Sequence, residues 1–248
     1  MSSYTMGNKK QGYRFENDWT QEHLENRTFQ TIQTAITIPV NMKIKAENYV
    51  LNLENAKRIL GNARILSVRE CKCRTDRQNC DSPLETHIDM DEAAEASIKN
   101  GISREIKLDE ALGILEMSHE AGLVHMALGQ GEFYEPGVIN TVCSCCSCCC
   151  GLLSGVLRFG LAPHLITPQA FTVTDMSACN DCGLCVESCH FGAREMIDGS
   201  FSFNPSQCFG CGLCVNKCPT YAIELIDKPE TARQPPKIPR ERLHRITC

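Results

Sequence analysis

Two stretches in the C-terminal half of the chain decide how this region folds. Residues 179–198 read CNDCGLCVESCHFGAREMID, and residues 208–227 read CFGCGLCVNKCPTYAIELID. The two align residue for residue, and each follows a short β-like stretch, FTVTDMSA and SFSFNPSQ. A repeat with a period of about thirty residues predicts two similar halves related by a local two-fold axis.

Each copy of the repeat carries four cysteines with the spacing C-x2-C-x2-C-x3-C. Three thiolates two residues apart can wrap one metal cluster in a tight turn, and the fourth, at the start of the next helix, points to the other cluster. Two structural zinc sites are the alternative, but zinc ribbons use paired C-x2-C knuckles separated by a longer gap. The spacing therefore predicts two iron–sulfur clusters.

In these motifs the chain resembles the bacterial-type two-cluster ferredoxins, which bind two [4Fe-4S] clusters. The resemblance implies that Gly183 and Gly212 lie where the backbone passes close to a cluster. It also implies the ligands of each cluster: Cys179, Cys182, Cys185 and Cys218 for cluster one, and Cys208, Cys211, Cys214 and Cys189 for cluster two.

One residue departs from the ferredoxin pattern. His190 follows the first motif, where the pattern has a proline such as Pro219 after the second motif. An imidazole here places a titratable group near a cluster, so the two reduction potentials need not match. The simpler interpretation, which we favour, is that His190 caps the helix.

Composition narrows the class of protein. The chain has 248 residues and 18 cysteines, too long and slightly too poor in cysteine for a disulfide scaffold. No apolar run is long enough to span a bilayer and the start is polar, so we expect a cytoplasmic protein with reduced thiols. A net charge of -5 and a pI near 5.8 argue against nucleic acid as a partner.

Nine further cysteines lie upstream of the repeat, and Cys248 stands alone near the C-terminus as an expected unliganded thiol. Some of the nine could pack as small apolar side chains, but so many at short spacings indicate a third metal centre. An iron–sulfur cluster is the first interpretation and zinc the alternative. The candidate ligands are Cys71, Cys73, Cys80, His87, Cys143, Cys145, Cys146, Cys148, Cys149 and Cys150.

Two features near these cysteines favour an anionic centre, and a third bears on its potential. An apolar segment after Gly151 predicts a helix, whose N-terminal amides would lower thiol pKa values. Arg74 and Arg77 would act in the same direction. His87 would be a ligand other than a thiolate, which would raise the potential of an iron–sulfur centre.

The predicted fold class is α+β: an N-terminal α/β domain with a Cys-rich metal site, followed by a ferredoxin-like two-cluster module. The segment LNLENAKRILGNARILSV predicts a helix with Leu53, Ala56, Ile59 and Leu60 on one face and a stop at Gly61, and a second helix is predicted at about 91–99. A third helix begins with Asp109 as N-cap, and LVHMAL follows as a buried strand. The predicted domains are an N-terminal arm (1–30), a Cys-rich α/β domain (31–166), the ferredoxin domain (167–227) and a basic, Pro-rich tail (228–248).

From about Ile36 to Asp227 the chain is also similar to an uncharacterised family of "4Fe-4S dicluster domain" proteins of anaerobic bacteria and archaea. They share its C-x-C-R block, its CSCCSCCC block and the C-terminal module, although they often have Cys at the position of His87. The resemblance implies anaerobic electron transfer.

We therefore expect a metal-binding electron-transport protein, or an electron-transfer subunit of a larger oxidoreductase complex, that exchanges single electrons with redox partner proteins. The alternative is a redox enzyme whose Cys-dense N-terminal centre is catalytic and is fed by the two ferredoxin clusters. No catalytic residue can be named from the sequence.

Overall fold

The computed structural model describes residues 19–25, 32–37, 41–45, 48–52, 58–130, 139–159, 166–168 and 170–227. Most of the predicted arm, the basic tail with Cys248, and the first turns of the helix that ends at Leu60 lie outside these ranges. The α+β fold class is confirmed: helices and mainly antiparallel strands alternate along the chain.

Thirteen strands occur in the described residues. They are β1 (Ile32–Thr37), β2 (Asn41–Lys45), β3 (Asn48–Asn52), β4 (Leu66–Glu70), β5 (Glu85–Met90), β6 (Arg104–Ile106), β7 (Val124–Gln130), β8 (Thr141–Cys145), β9 (Ile166–Pro168), β10 (Ala170–Thr174), β11 (Arg194–Ile197), β12 (Ser200–Phe203) and β13 (Ile223–Asp227).

Seven α-helices occur in the same part of the chain, with a 3-10 turn at Pro205–Gln207. The α-helices are α1 (Gln21–His23), α2 (Lys72–Arg77), α3 (Asp91–Lys99), α4 (Leu108–Glu120), α5 (Gly151–Phe159), α6 (Leu184–Glu187) and α7 (Leu213–Lys217).

A seven-stranded sheet in the order β6-β4-β5-β8-β7-β1-β9 carries the upstream domain. Neighbouring strands are antiparallel except β1 and β9, which are parallel. Side chains alternate across a strand, so β8 places Cys143 and Cys145 on one face and Val142 on the other. A C-x-C pair on a strand therefore directs both thiols to the same side.

The two faces of this sheet have different coverings. The helix predicted after Gly151 is confirmed as α5, and its Leu152, Leu153 and Val156 pack with Met126 on the face that holds Cys143. On the other face, α4 packs its Ala111, Ile114 and Leu115 against residues such as Ile88. One face thus supports the cysteines, and the other forms an ordinary apolar core.

The helix predicted at residues 91–99 is confirmed as α3. The predicted N-cap of α4 is wrong: Lys107 is the N-cap, and Asp109 lies in the first turn. A carboxylate in the first turn still interacts favourably with the positive end of the helix dipole. LVHMAL forms the buried strand β7, as predicted.

The C-terminal module is closed by a strand from each of its ends. β10, just before the first Cys motif, pairs along its full length with β13, which follows the second motif. Between them, β11 and β12 form a hairpin, and each motif leads into a short helix, α6 or α7.

Candidate metal centres

The cysteines of the repeat line two cavities. The first cavity is lined by the four cysteines that the ferredoxin resemblance assigns to cluster one: Cys179, Cys182, Cys185 and Cys218. The second is lined by the four assigned to cluster two: Cys189, Cys208, Cys211 and Cys214. The empty space in each, including its opening, is about 320 Å³ and about 310 Å³, as expected for two copies of one cofactor. In each cavity, three thiols come from one motif and one from the other.

Left-handed glycines fix the turn before each short helix. Gly183 (φ 77°) is the N-cap of α6, and Gly212 (φ 79°) is the N-cap of α7. A side chain is disfavoured in this conformation, whereas glycine adopts it without a steric penalty. Both glycines line a cavity, as the resemblance implied.

The residue directly before the second cysteine of each motif is also left-handed in both copies, but its identity differs. Asp181 (φ 54°) tolerates this conformation, and its Oδ1 accepts a hydrogen bond of 2.7 Å from the backbone N–H of Phe201. The equivalent residue is Gly210 (φ 64°), where a Cβ would overlap the carbonyl group of Ala170 on β10. Only glycine fits there.

A buried cation lies between the two cavities. Arg194 lines both of them and is 2 % exposed. It donates hydrogen bonds to the hydroxyls of Thr172 (2.8 Å) and Thr174 (3.2 Å), and in the described residues no carboxylate pairs with it.

Burial raises the pKa of Cys214 to about 12, and the positive charge of Arg194 opposes this shift. An unpaired buried charge is costly, so the arginine fits cavities that hold anionic thiolates or clusters.

His190 connects the module to the upstream domain. Its Nδ1 lies 3.0 Å from the hydroxyl of Ser147, and its Nε2 lies 2.9 Å from the carbonyl oxygen of Gly122. Burial lowers the pKa of this imidazole. The expected helix-capping role is therefore replaced by a link between the first ferredoxin motif and the Cys-dense block.

Two stacked aromatic rings fill the contact between the module and the sheet. The ring centroids of Phe191 and Phe209 lie 4.3 Å apart, and both residues are buried in the apolar cluster that also contains Cys143. Cys189 and Cys211 of the second cavity pack against the same cluster. A dry, apolar contact thus joins the second cavity to the upstream cysteines.

The upstream cysteines fall into two groups. Five of them, which we call the strand cysteines, are Cys71, Cys73, Cys143, Cys145 and Cys150. Their thiols interact in the order 73, 71, 143, 145 and 150, each hydrogen-bonded to the next, and the two ends of this series interact electrostatically. The five thiols therefore form one connected group.

The remaining four, which we call the loop cysteines, are Cys80, Cys146, Cys148 and Cys149. Their sulfur atoms all lie within 4.8 Å of one another. Hydrogen bonds with Cys146 and Cys149 lower the pKa of Cys80. Cys148 differs from the other three, because its sulfur is in a disulfide in this structure.

Arg74 lies between the two groups. It is 1 % exposed, and it donates hydrogen bonds of 3.0 Å to the hydroxyl of Thr86 and to the carbonyl oxygen of Ser144, and a further one to the carbonyl oxygen of Pro83. Burial works to lower the pKa of this guanidinium, but the nearby sulfurs of Cys146 and Cys71 raise it above its ordinary value. As with Arg194, no carboxylate among the described residues pairs with Arg74.

The N-terminus of α5 contributes to the strand group, as predicted. A hydrogen bond with Cys145, together with the backbone N–H groups of Leu153 and Leu152, lowers the pKa of Cys150 against the effect of burial. The hydrogen bond with Cys71 and burial nevertheless raise the pKa of Cys73, and the N–H of Gly151 only opposes this shift. The second predicted cation, Arg77, instead stacks on Trp19, with its guanidinium carbon 3.8 Å from the ring centroid.

His87 lies opposite Cys143 in the pairing of β5 with β8, but its Nε2 is engaged elsewhere. This nitrogen is 3.0 Å from Oδ1 of Asp89 and also contacts Arg69. Burial works to raise the pKa of Asp89, but His87 and Arg69 lower it to about 2. His87 therefore belongs to a charged group beside the strand cysteines, and it is not among the four residues of the loop group.

Several residues of these sites were not predicted from the sequence. The two cations Arg194 and Arg74 were not placed between thiol groups, and the aromatic pair was not noticed. The repeat could have pointed to these residues, because its two copies differ at Phe191, Arg194 and Phe209. The two halves have different surroundings at these positions.

Residues 178–223 match the family model described as "4Fe-4S dicluster domain". The match covers both Cys motifs, so this region is an iron–sulfur region of the ferredoxin type. No curated protein matches the chain. In the part of the chain that the structure describes, no helix has both the length and the apolar character that crossing a bilayer requires.

Proposed function

We propose that the chain is an iron–sulfur electron-transfer protein that exchanges electrons with a partner oxidoreductase. The observation that carries this proposal is the pair of similar four-cysteine cavities with one buried arginine between them. When bound, each [4Fe-4S] cluster would accept or donate one electron. The proposed ligands are Cys179, Cys182, Cys185 and Cys218 for cluster one, and Cys208, Cys211, Cys214 and Cys189 for cluster two.

The protein itself supplies positioning, insulation and charge. Gly183 and Gly212 allow the backbone to turn close to each cavity. The stacked rings of Phe191 and Phe209 exclude water from the contact with the upstream domain. Arg194 favours the more negative, reduced state on both sides.

We assign a third iron–sulfur centre to the strand cysteines. Five thiols interact with one another there, and the N–H groups of Leu152 and Leu153 at the N-terminus of α5 favour negative charge on Cys150. The apolar cluster that contains four of these cysteines also contacts Cys189 and Cys211. This contact would let electrons pass between the ferredoxin module and the upstream domain.

Exchange with a redox partner protein would occur at the cluster-one end of the module. Cys182 is exposed there, and the apolar side chain of Leu184 beside it is 43 % exposed. The similarity to a family of anaerobic proteins supports a role in anaerobic, cytoplasmic metabolism, with the chain acting as one subunit of a complex.

A redox titration followed by electron paramagnetic resonance tests this function on the full chain, purified without oxygen. We expect low-potential signals that appear and disappear reversibly with one electron each. Cys182→Ser should change the signal of cluster one, and Cys211→Ser should change that of cluster two. Signals that do not titrate reversibly would rule out electron transfer as the function.

A further inference from the structure

The loop cysteines form a metal-ligating group that the proposed electron transfer does not use. We propose that Cys80, Cys146, Cys148 and Cys149 hold a single zinc ion, separate from the iron–sulfur centres. This inference does not depend on electron transfer, because it rests on the spacing of four sulfur atoms and on what surrounds them.

The sulfur–sulfur distances fit one tetrahedral ion. The Sγ of Cys80 lies 3.8 Å from that of Cys146 and 3.9 Å from that of Cys149, and the sulfurs of Cys148 and Cys149 are 3.9 Å apart. A zinc–sulfur bond of about 2.3 Å gives an edge of about 3.8 Å in a tetrahedron of four thiolates. The observed spacing therefore matches four ligands on one ion.

The ferredoxin cysteines provide an internal comparison. In a cubane each thiolate binds a different iron, so the four ligand sulfurs lie further apart than sulfurs that share one ion. Among the described residues, the loop cysteines are the one group of potential ligands whose atoms all lie within 4.8 Å of one another. Neither ferredoxin quartet meets that limit, and nor do the strand cysteines. The loop group is thus too compact for a cluster of the same size.

The surroundings hold this group in place without metal. The Trp19 indole N–H donates a hydrogen bond of 2.8 Å to the carbonyl oxygen of Cys149, and the Asn79 amide donates one of 3.0 Å to that of Cys148. The hydroxyl of Ser154 donates a hydrogen bond of 2.8 Å to the carbonyl oxygen of Ser147. Such outer contacts orient ligands and raise the affinity of a metal site.

Charge and access also suit a closed zinc site. Four thiolates on Zn²⁺ carry a net charge of about -2, and the buried guanidinium of Arg74 interacts with the sulfur of Cys146. Leu123 packs on the group, and only Cys80 is partly exposed. Four protein sulfurs leave no open position, so the ion would be structural: it would tie the segment after α2 to the loop after β8.

Cys148 binds only in its reduced form. A dithiol such as dithiothreitol supplies two electrons and two protons to the disulfide, which gives two thiols, and the dithiol becomes a cyclic disulfide. The Cys148 thiol then loses its proton as zinc binds. The protein must therefore be kept reduced during purification.

X-ray absorption at the zinc edge tests the site in the unaltered full chain, purified without oxygen in dithiothreitol and treated with a chelator. We expect about one zinc per chain with four sulfur neighbours at about 2.3 Å. Zinc that the chelator removes, a shell containing nitrogen or oxygen, or iron in place of zinc would overturn the proposal.

A matched pair of variants locates the ion. Cys80→Ser should lower the zinc content at least tenfold after chelator treatment and leave the iron content unchanged. Cys73→Ser, which alters the strand cysteines, should lower iron and leave zinc unchanged. Loss of zinc in Cys73→Ser but not in Cys80→Ser would place the ion elsewhere. An unchanged iron content in Cys73→Ser, with zinc lost only in Cys80→Ser, would instead count against the third iron–sulfur centre alone.

Discussion

Arg194 contributes one positive charge to two cavities, so its effect should be visible at both. Reduction adds negative charge to a cluster, and a nearby cation stabilises the reduced state. We predict that Arg194→Met lowers both ferredoxin potentials by roughly 50–100 mV, which is about 1–2 kcal/mol per electron. Potentiometric titration monitored by electron paramagnetic resonance measures both values.

Arg194→Lys is the control for this prediction, because it keeps the charge and shortens the hydrogen-bonding reach. We expect Arg194→Lys to shift the two ferredoxin potentials less than Arg194→Met does. A shift confined to one cluster would contradict the placement of the guanidinium between the two cavities.

At the scale of single residues, the sequence identified the cysteines that are candidate ligands but did not predict how the upstream cysteines are grouped. The spacing of the repeat indicated which cysteines belong together, because the intervals within each motif restrict how the backbone can turn. The division between Cys145 and Cys146 was not predictable. It depends on β8 ending there: the strand directs Cys143 and Cys145 to one face, and the following turn carries Cys146 away.

At the scale of single elements, β10 passes so close to the second Cys motif that Gly210 has no room for a side chain. We predict that Gly210→Ala displaces the loop around the second cavity, because the added methyl group overlaps the backbone of Ala170. The iron content should fall by about four per chain if cluster two is lost. Iron quantitation on the purified protein measures this.

Gly199→Ala is the matched control for this element. Gly199 has a similar left-handed conformation (φ 82°), but nothing lies within 4 Å of the position a Cβ would take. The control should lose roughly 1–2 kcal/mol of stability from the backbone conformation and keep all its iron. Equal iron loss in both variants would show that conformation, and not the contact with β10, is responsible.

The packing of α4 on β7 buries two stacked histidines, His119 and His125, with ring centroids 5.6 Å apart. Burial, assisted by Lys217, lowers the pKa of His119 to about 4, and burial assisted by His119 lowers that of His125 to about 3. In the described residues neither ring nitrogen of His119 has a hydrogen-bond partner. The folded protein therefore holds both rings neutral.

A lowered histidine pKa makes the stability of the folded protein depend on pH. Below the ordinary pKa of 6.5, the unfolded chain binds more protons than the folded chain. The stability that comes from burying a neutral His119 is therefore complete above pH 6.5 and declines as the pH falls towards 4. We predict that His119→Leu reduces the loss of stability between pH 7 and pH 5 by about 2 kcal/mol. Denaturant unfolding at both pH values measures this, with iron content followed in parallel. An unchanged pH dependence would contradict a buried, neutral His119.

At the scale of the whole molecule, His190 links the ferredoxin module to the upstream domain through Ser147 and Gly122. We predict that His190→Pro, which restores the residue of the usual ferredoxin motif, lowers the free energy of unfolding by about 1–3 kcal/mol. Both ferredoxin clusters should remain, because no ligand is altered. Denaturant unfolding gives the first value and iron quantitation the second. Unchanged stability would mean that these contacts do not hold the two parts together.

The α+β class and the position of the ferredoxin module could be predicted from the sequence, because local spacing and periodicity determine them. The contact between module and sheet could not. It depends on residues such as Phe191 and Phe209, whose neighbours lie far along the chain, and short-range patterns carry no information about such pairs.

Quantitation of iron and sulfide, with electron paramagnetic resonance of the reduced protein, tests whether one chain holds two ferredoxin clusters and a third iron–sulfur centre. On protein purified without oxygen, we predict about twelve or more irons per chain, matched by sulfide, and a third signal besides the two from the ferredoxin module. About eight irons per chain with no third signal would show that the strand cysteines hold no iron–sulfur centre.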